Sequence, residues 1–145
     1  MAGTRNFNTR IDQGWYIQLA NGEKVLAEGT VFYKTFYITT FTPNNDPCLP
    51  GGLGKLYALD YKTAGAVLNF DDDVDLERVV DIGGGIPSKV VTVITDSGGA
   101  KLFISVGSTN PDENSEAFDA GVVAVDPLTP KINFFRMWWK ELLTY

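Results

Sequence analysis

The chain has 145 residues, 44% of them apolar and 12% aromatic, which is enough for one packed domain and too apolar for general disorder. Its 12 basic and 18 acidic residues give a net charge of −6, which disfavours non-specific binding to a phosphate backbone. Histidine is absent, and with it the Ser-His-Asp and Cys-His constellations, imidazole metal sites and the usual neutral-pH proton shuttle.

Taken in chain order, the start Met1 to Asn6 has no apolar stretch, so no signal peptide is expected in this sequence. No run of about 18 apolar residues follows anywhere, so no membrane span is expected either. Gly14 to Leu19 reads as a strand, and Asn21-Gly22 as a hairpin turn. Lys24 to Ala27 continues as strand, and Thr30 to Tyr33 and Phe36 to Thr42 hold β-branched and aromatic residues almost exclusively, which suit a pleated, buried surface. A loop rich in proline and glycine, Pro43 to Gly54, leads to a strand at Lys55 to Asp60 and another at Ala66 to Phe70. After the acidic stretch Asp71 to Glu77, strands are expected at Arg78 to Ile82, Lys89 to Thr95, Leu102 to Val106, Val122 to Asp126 and Lys131 to Trp139. Only Met137 to Leu142 has any helical character, and Ile132 to Phe135 before it argue for strand.

The chain also matches itself at one offset of 66 residues, without gaps. Phe36-Tyr37-Ile38-Thr39-Thr40 falls on Leu102-Phe103-Ile104-Ser105-Val106, and Ala58-Leu59-Asp60-x-x-Thr63 on Ala124-Val125-Asp126-x-x-Thr129. Asn44 falls on Asn110, and Asp46 on Asp112. Repeats of this size mark one supersecondary unit stacked on copies of itself. The fold class expected is all-β: two four-stranded antiparallel blades of the β-propeller kind, part of a larger, quinoprotein-like propeller, since rings close with roughly four to eight blades. The division is a leading segment 1–23 carrying the last strand of a preceding blade, a first blade 24–77, and a second blade with a terminal strand 78–145. Val31, Ile38, Leu56, Ala58, Ile104, Val123 and Val125 are expected to be buried.

Cys48 is the only cysteine, either a small buried side chain or half of a bridge to sequence outside this chain. In the acidic stretch, Asp73, Asp75, Glu77 and Asp81 fall at loop positions 1, 3, 5 and 9, suited to oxygen ligation of calcium, but Arg78 occupies the place where the sharp turn needs glycine. The other reading is a solvated linker between blades. Gly51-Gly52-Leu53-Gly54 has the look of a phosphate cradle, yet Lys55 opens a strand where a helix is needed, so a glycine-dependent loop is expected. Asp60 and Asp126 hold equivalent places, and each is expected to bond its own turn. Trp15, Trp138 and Trp139 offer either an aromatic binding face or filling between blades. Trp138 and Trp139 are adjacent, so in a strand they point to opposite faces, and one of them is available to a partner.

Gly14-Trp15-Tyr16-Ile17-Gln18-Leu19-Ala20-Asn21-Gly22-Glu23 resembles the G-W-Y-x-x-L-x-x-G-E signature of the PilY family of type IV pilus-associated adhesins. Phe41-Thr42-Pro43 with Asp46-Pro47-Cys48, Gly51 to Gly54, Leu56 to Thr63, Ile82 to Ser88 and Trp138 to Leu142 are similar to the same family, in the same order. The resemblance implies the carboxy-terminal part of a propeller in an extracellular or outer-membrane, pilus-associated protein that serves pilus biogenesis and cell adhesion without catalysis. It implies partners among pilus components and remaining blades. It also implies a calcium loop of the form D-x-D-x-D-x-x-x-D, from which this chain departs. Two other readings stand beside it: a structural subunit that completes a propeller with a separate chain, and a fragment of a quinone-dependent dehydrogenase.

Overall fold

The computed structural model describes residues 14–44, 51–69, 75–95, 99–107 and 121–127. Among them the protein is all-β, with every ladder antiparallel and no helix of a length to cross a membrane. One sheet contains β1 (Lys24–Val25), β2 (Thr30–Phe32), β3 (Thr35–Pro43), β4 (Gly52–Asp60) and β5 (Val79–Gly84). The other contains β6 (Val91–Ile94), β7 (Ala100–Val106) and β8 (Gly121–Val125).

β3 forms the spine of the first sheet. Its residues Thr35 to Thr42 are β-branched or aromatic throughout, and it pairs with β4 along its whole length, from Thr35↔Asp60 to Pro43↔Gly52. β1 and β2 share its other edge at opposite ends. Between β2 and β3 the chain reverses at Tyr33-Lys34, both with positive φ (44° and 65°), the backbone that a two-residue hairpin of matching twist requires. On the far side, β5 pairs with β4, and a bulge between Gly54 and Lys55 leaves Ile82 without a ladder partner. Gly52 cannot carry a side chain, because a Cβ there would overlap the Thr42 carbonyl oxygen and the Phe41 ring.

The core lies between the two sheets. The first contributes Tyr37, Leu56, Ala58 and Ile82, the second Leu102, Ile104 and Val106, with Leu68 and Val90 from the connections. The segment after β5 stitches the sheets together. Ser88 exchanges bonds with Ser105 through N–H to carbonyl (2.8 Å) and through its accepting hydroxyl (3.0 Å), while Thr39 donates to the Ser88 carbonyl (2.9 Å).

The five pairs of the β7–β8 ladder, Leu102↔Val125 to Val106↔Gly121, each stand 66 residues from a pair of the β3–β4 ladder, Phe36↔Leu59 to Thr40↔Lys55. The residues turned to the core are not the equivalent ones. Tyr37 and Ala58 face inward, whereas Phe103 and Ala124 face away; Leu102 and Ile104 face inward, whereas Phe36 and Ile38 face away. The sheets therefore pack front to back. A two-fold relation would have brought equivalent residues face to face.

Several expectations are corrected here. Val31 is 61% exposed, because it pairs with Phe36 on the outward face of a short edge strand. Ile38, Val123 and Val125 are half-buried, while Leu56, Ala58 and Ile104 are buried. Gly14 to Leu19 joins no ladder, and its Trp15 packs on Phe36 of the sheet. Where a strand is expected at Ala66 to Phe70, the described residues 66–69 contribute single bridges, Leu59↔Ala66 and Leu68↔Glu77. The residues from Val79 to Gly84, grouped by sequence with the second blade, hydrogen-bond to the first sheet, which places Val80 opposite Leu56. The expected strand at Lys131 to Trp139 lies outside the described residues.

Candidate interaction surfaces

The outward face of the first sheet is closed by the leading segment. From Gly14 to Ala20 exposure alternates, with Trp15, Ile17 and Leu19 half-buried against the sheet and Tyr16 and Gln18 exposed. The Trp15 ring meets Phe36 edge-on at 5.8 Å, and its Nε1–H donates to the Tyr61 carbonyl at 2.9 Å. The Asn21-Gly22 turn, with Gly22 at φ 79°, then delivers Glu23 beneath the segment it has just left.

Glu23 is buried and ties three parts of the chain together. Its Oε1 accepts from the Thr40 hydroxyl of β3 (2.5 Å) and the Tyr57 hydroxyl of β4 (2.8 Å), while Oε2 accepts from the Ala20 N–H (2.9 Å). Burial works against its charge, but the bonds from Thr40, Ala20 and Tyr57 and the nearby Lys55 ammonium outweigh it and hold the carboxyl below its ordinary range. Burial pushes the Tyr57 phenol far up, and donation to Glu23 adds to the shift. Beside this knot lies a cavity of about 280 Å³ lined by Gln18, Leu19, Lys55, Tyr57 and Val79. An acid held ionised and a phenol held protonated have nothing to exchange at neutral pH. The arrangement is a fastening, and it fixes the leading segment in place.

The outward face of the second sheet differs. Val91, Val93 and Val122 stand 48%, 43% and 56% exposed, next to Phe103 and Ala124. Among the described residues β8 has a ladder partner on one side only. Along its other side runs a groove of about 370 Å³ with a mixed lining, apolar at Leu68, Ile82 and Val125 and polar at Asn69, Asp81 and Asp126.

Of the residues singled out from sequence, Trp15 is engaged by its own sheet. Cys48, Trp138 and Trp139 lie outside the described residues, as does Asp73. Glu77 is bridged to Leu68, and Asp81 stands within β5 opposite Lys55. Among the described residues no three His, Cys, Asp or Glu side chains gather as a metal-holding group. Gly52 to Gly54, expected in a glycine-dependent loop, belong to β4, so the strand begins three residues before Lys55. Asp60 does bond its own turn, its Oδ1 accepting from the Lys62 and Thr63 N–H groups (both 2.9 Å) and the Thr63 hydroxyl (3.0 Å). Asp126 pairs with Lys101 on the neighbouring strand at 2.8 Å, an exposed contact of little energetic weight, and the turn it is expected to bond lies outside the described residues. The Glu23 knot was missed. Its signal was an acidic residue directly after a hairpin turn, facing strands rich in Thr and Tyr.

No family model, curated protein or solved structure matches the chain.

Proposed function

We propose that this chain is the carboxy-terminal β-propeller piece of a PilY-type protein, a non-enzymatic module for adhesion and pilus biogenesis that works outside the cell with pilus components and further blades. The observation that carries the reading is the front-to-back packing of two sheets in one register, which is how successive blades meet around a propeller axis. Such packing has no built-in stop: the outward face of the second sheet repeats the face by which the first sheet meets its neighbour. The motifs behind the resemblance also carry the assembly. Trp15 and Glu23 fasten the leading segment to the first sheet. In the stretch from Ile82 to Ser88, Ile82 fills the core and Ser88 bonds both β3 and β7.

The test is deletion of the coding segment in the cell that carries it, with type IV pili counted by electron microscopy and surface attachment measured. Loss of both is expected. Unchanged piliation and attachment would defeat the proposal.

A further inference from the structure

The turn that delivers Glu23 carries a reactive pair. Asn21-Gly22 is the one place in the chain where asparagine precedes glycine. Ala20 to Glu23 is a four-residue turn closed by the Glu23 N–H on the Ala20 carbonyl at 3.1 Å, and Gly22 supplies the positive φ (79°) that its third position needs. Asn21 and Gly22 are both exposed. Apart from its two chain neighbours, no heavy atom of the described residues stands within 4 Å of the place a Gly22 Cβ would take. A glycine nitrogen next to an asparagine side chain meets less hindrance to ring closure than that of any other residue, because glycine has no Cβ and the widest choice of backbone angles.

We propose that Asn21 is a site of spontaneous modification, where loss of its side-chain amide and a shift of the main chain onto Cβ release the leading segment from the first sheet. The Gly22 nitrogen, giving up its proton, attacks Asn21 Cγ. The Cγ–Nδ2 bond breaks and ammonia leaves with that proton, closing a five-membered succinimide. Water then opens the ring at one of its two carbonyls. Opening at Cγ gives aspartate; opening at the main-chain carbonyl gives isoaspartate, with the chain now running through Cβ and Cγ. The net reaction is hydrolysis of an amide by water, with no change of oxidation state.

The added main-chain atom of isoaspartate falls inside the turn, between ends that bond each other twice: Glu23 N–H to the Ala20 carbonyl, and Ala20 N–H to Glu23 Oε2 at 2.9 Å. The same carboxylate accepts from Thr40 and Tyr57, so a turn of altered length cannot keep all four bonds. What they hold in place is the cover over the sheet face that carries Phe36 and Tyr57. Asn21-Gly22 is therefore a slow, one-way release for that cover. The inference is independent of the adhesion reading, which survives its failure.

The experiment incubates the whole 145-residue chain at body temperature and mildly alkaline pH. Mass spectrometry follows deamidation, an isoaspartyl methyltransferase reads the isoaspartyl form, and NMR reads amide exchange. Asn21 is expected to convert at least about tenfold faster than any other asparagine of the chain. In the isoaspartyl form the Ala20 and Glu23 amides should exchange at least about tenfold faster, since both lose their acceptors, while the Ala58 amide, bonded to the Arg78 carbonyl, is unchanged. Asn21→Gln needs a six-membered ring for the same step and should keep its amide. Freshly prepared Asn21→Asp has the charge without the added main-chain atom, and its Ala20 and Glu23 amides should stay protected. Conversion of Asn21 no faster than that of the other asparagines, an isoaspartyl chain with both amides still protected, or equal loosening in Asn21→Asp would each overturn the proposal.

Discussion

The β3–β4 and β7–β8 hairpins share one register but live in different surroundings. In the first, one face meets the opposite sheet and the other is closed by Trp15, Leu19 and Glu23. In the second, Leu102, Ile104 and Val106 are buried on the inward face, while the outward face shows Val91, Val93 and Val122 to solvent among the described residues. Equivalent positions consequently have unequal weight: Ile104 is in the core and Ile38 is only half-buried. In front-to-back packing a residue's importance follows from what lies over its face, and its place in the repeat does not set it.

The largest expected effect breaks the comparison at that pair. Ile104→Asp places a charge in the closed core and should abolish folding, since its cost exceeds about 4 kcal/mol against a total stability of about 5–15. Ile38→Asp, at the equivalent position, should cost about 1–3 kcal/mol and leave a cooperative transition. Urea titrations followed by circular dichroism read both, and equal losses would refute the front-to-back assignment.

Glu23→Ala comes next, because it leaves the Thr40 and Tyr57 hydroxyls and the Ala20 N–H without their acceptor. A loss of about 2–3 kcal/mol is expected. The pH dependence has a defined sign. The folded carboxyl sits below its ordinary value of 4.5, so its contribution is complete above that value and disappears as pH falls through the lowered one. Tyr57 works in the opposite direction: its raised value makes its contribution complete below pH 10 and lost in strong alkali. Glu23→Gln should flatten the acid limb of a stability–pH profile, and an unchanged limb would remove Glu23 as its source.

Two smaller effects sharpen the contrast by improving each sheet. The Thr92 hydroxyl of β6 is buried without a hydrogen-bond partner, so Thr92→Val should stabilise the chain by about 1 kcal/mol in thermal melts. Lys34 holds a positive φ at the second position of its hairpin turn, where glycine is the residue of choice. Lys34→Gly should stabilise by about 0.5 kcal/mol, and Lys34→Ala, which keeps the strain, should not.

Much of the strand pattern was legible because β-branched and aromatic runs bounded by Asn-Gly, Gly-Gly and Pro-rich turns leave the backbone few alternatives. β3, β4, β7 and β8 lie where composition placed them. The segment from Gly14 to Leu19 was misread because its alternation is that of a strand, and alternation reports which side chains are covered, not whether the backbone is paired. Val31 was misread for a related reason: β-propensity is the same on both faces of a strand, but only one of them is covered here. The Asp60 turn was legible because its bonds are local, within three residues. The Glu23 knot was not, because its partners at Thr40 and Tyr57 are distant in sequence and meet only when three segments converge.

The sequence by itself determined the long strands β3, β4, β7 and β8 and the 66-residue offset that their two ladders share, since these rest on local propensity, turn chemistry and residue spacing. Only the tertiary structure decided which face of each hairpin became core, where β5 paired, and that a single buried carboxylate would hold the leading segment down. Those outcomes depend on which surfaces meet, and burial, unlike propensity, is a property of two surfaces at once.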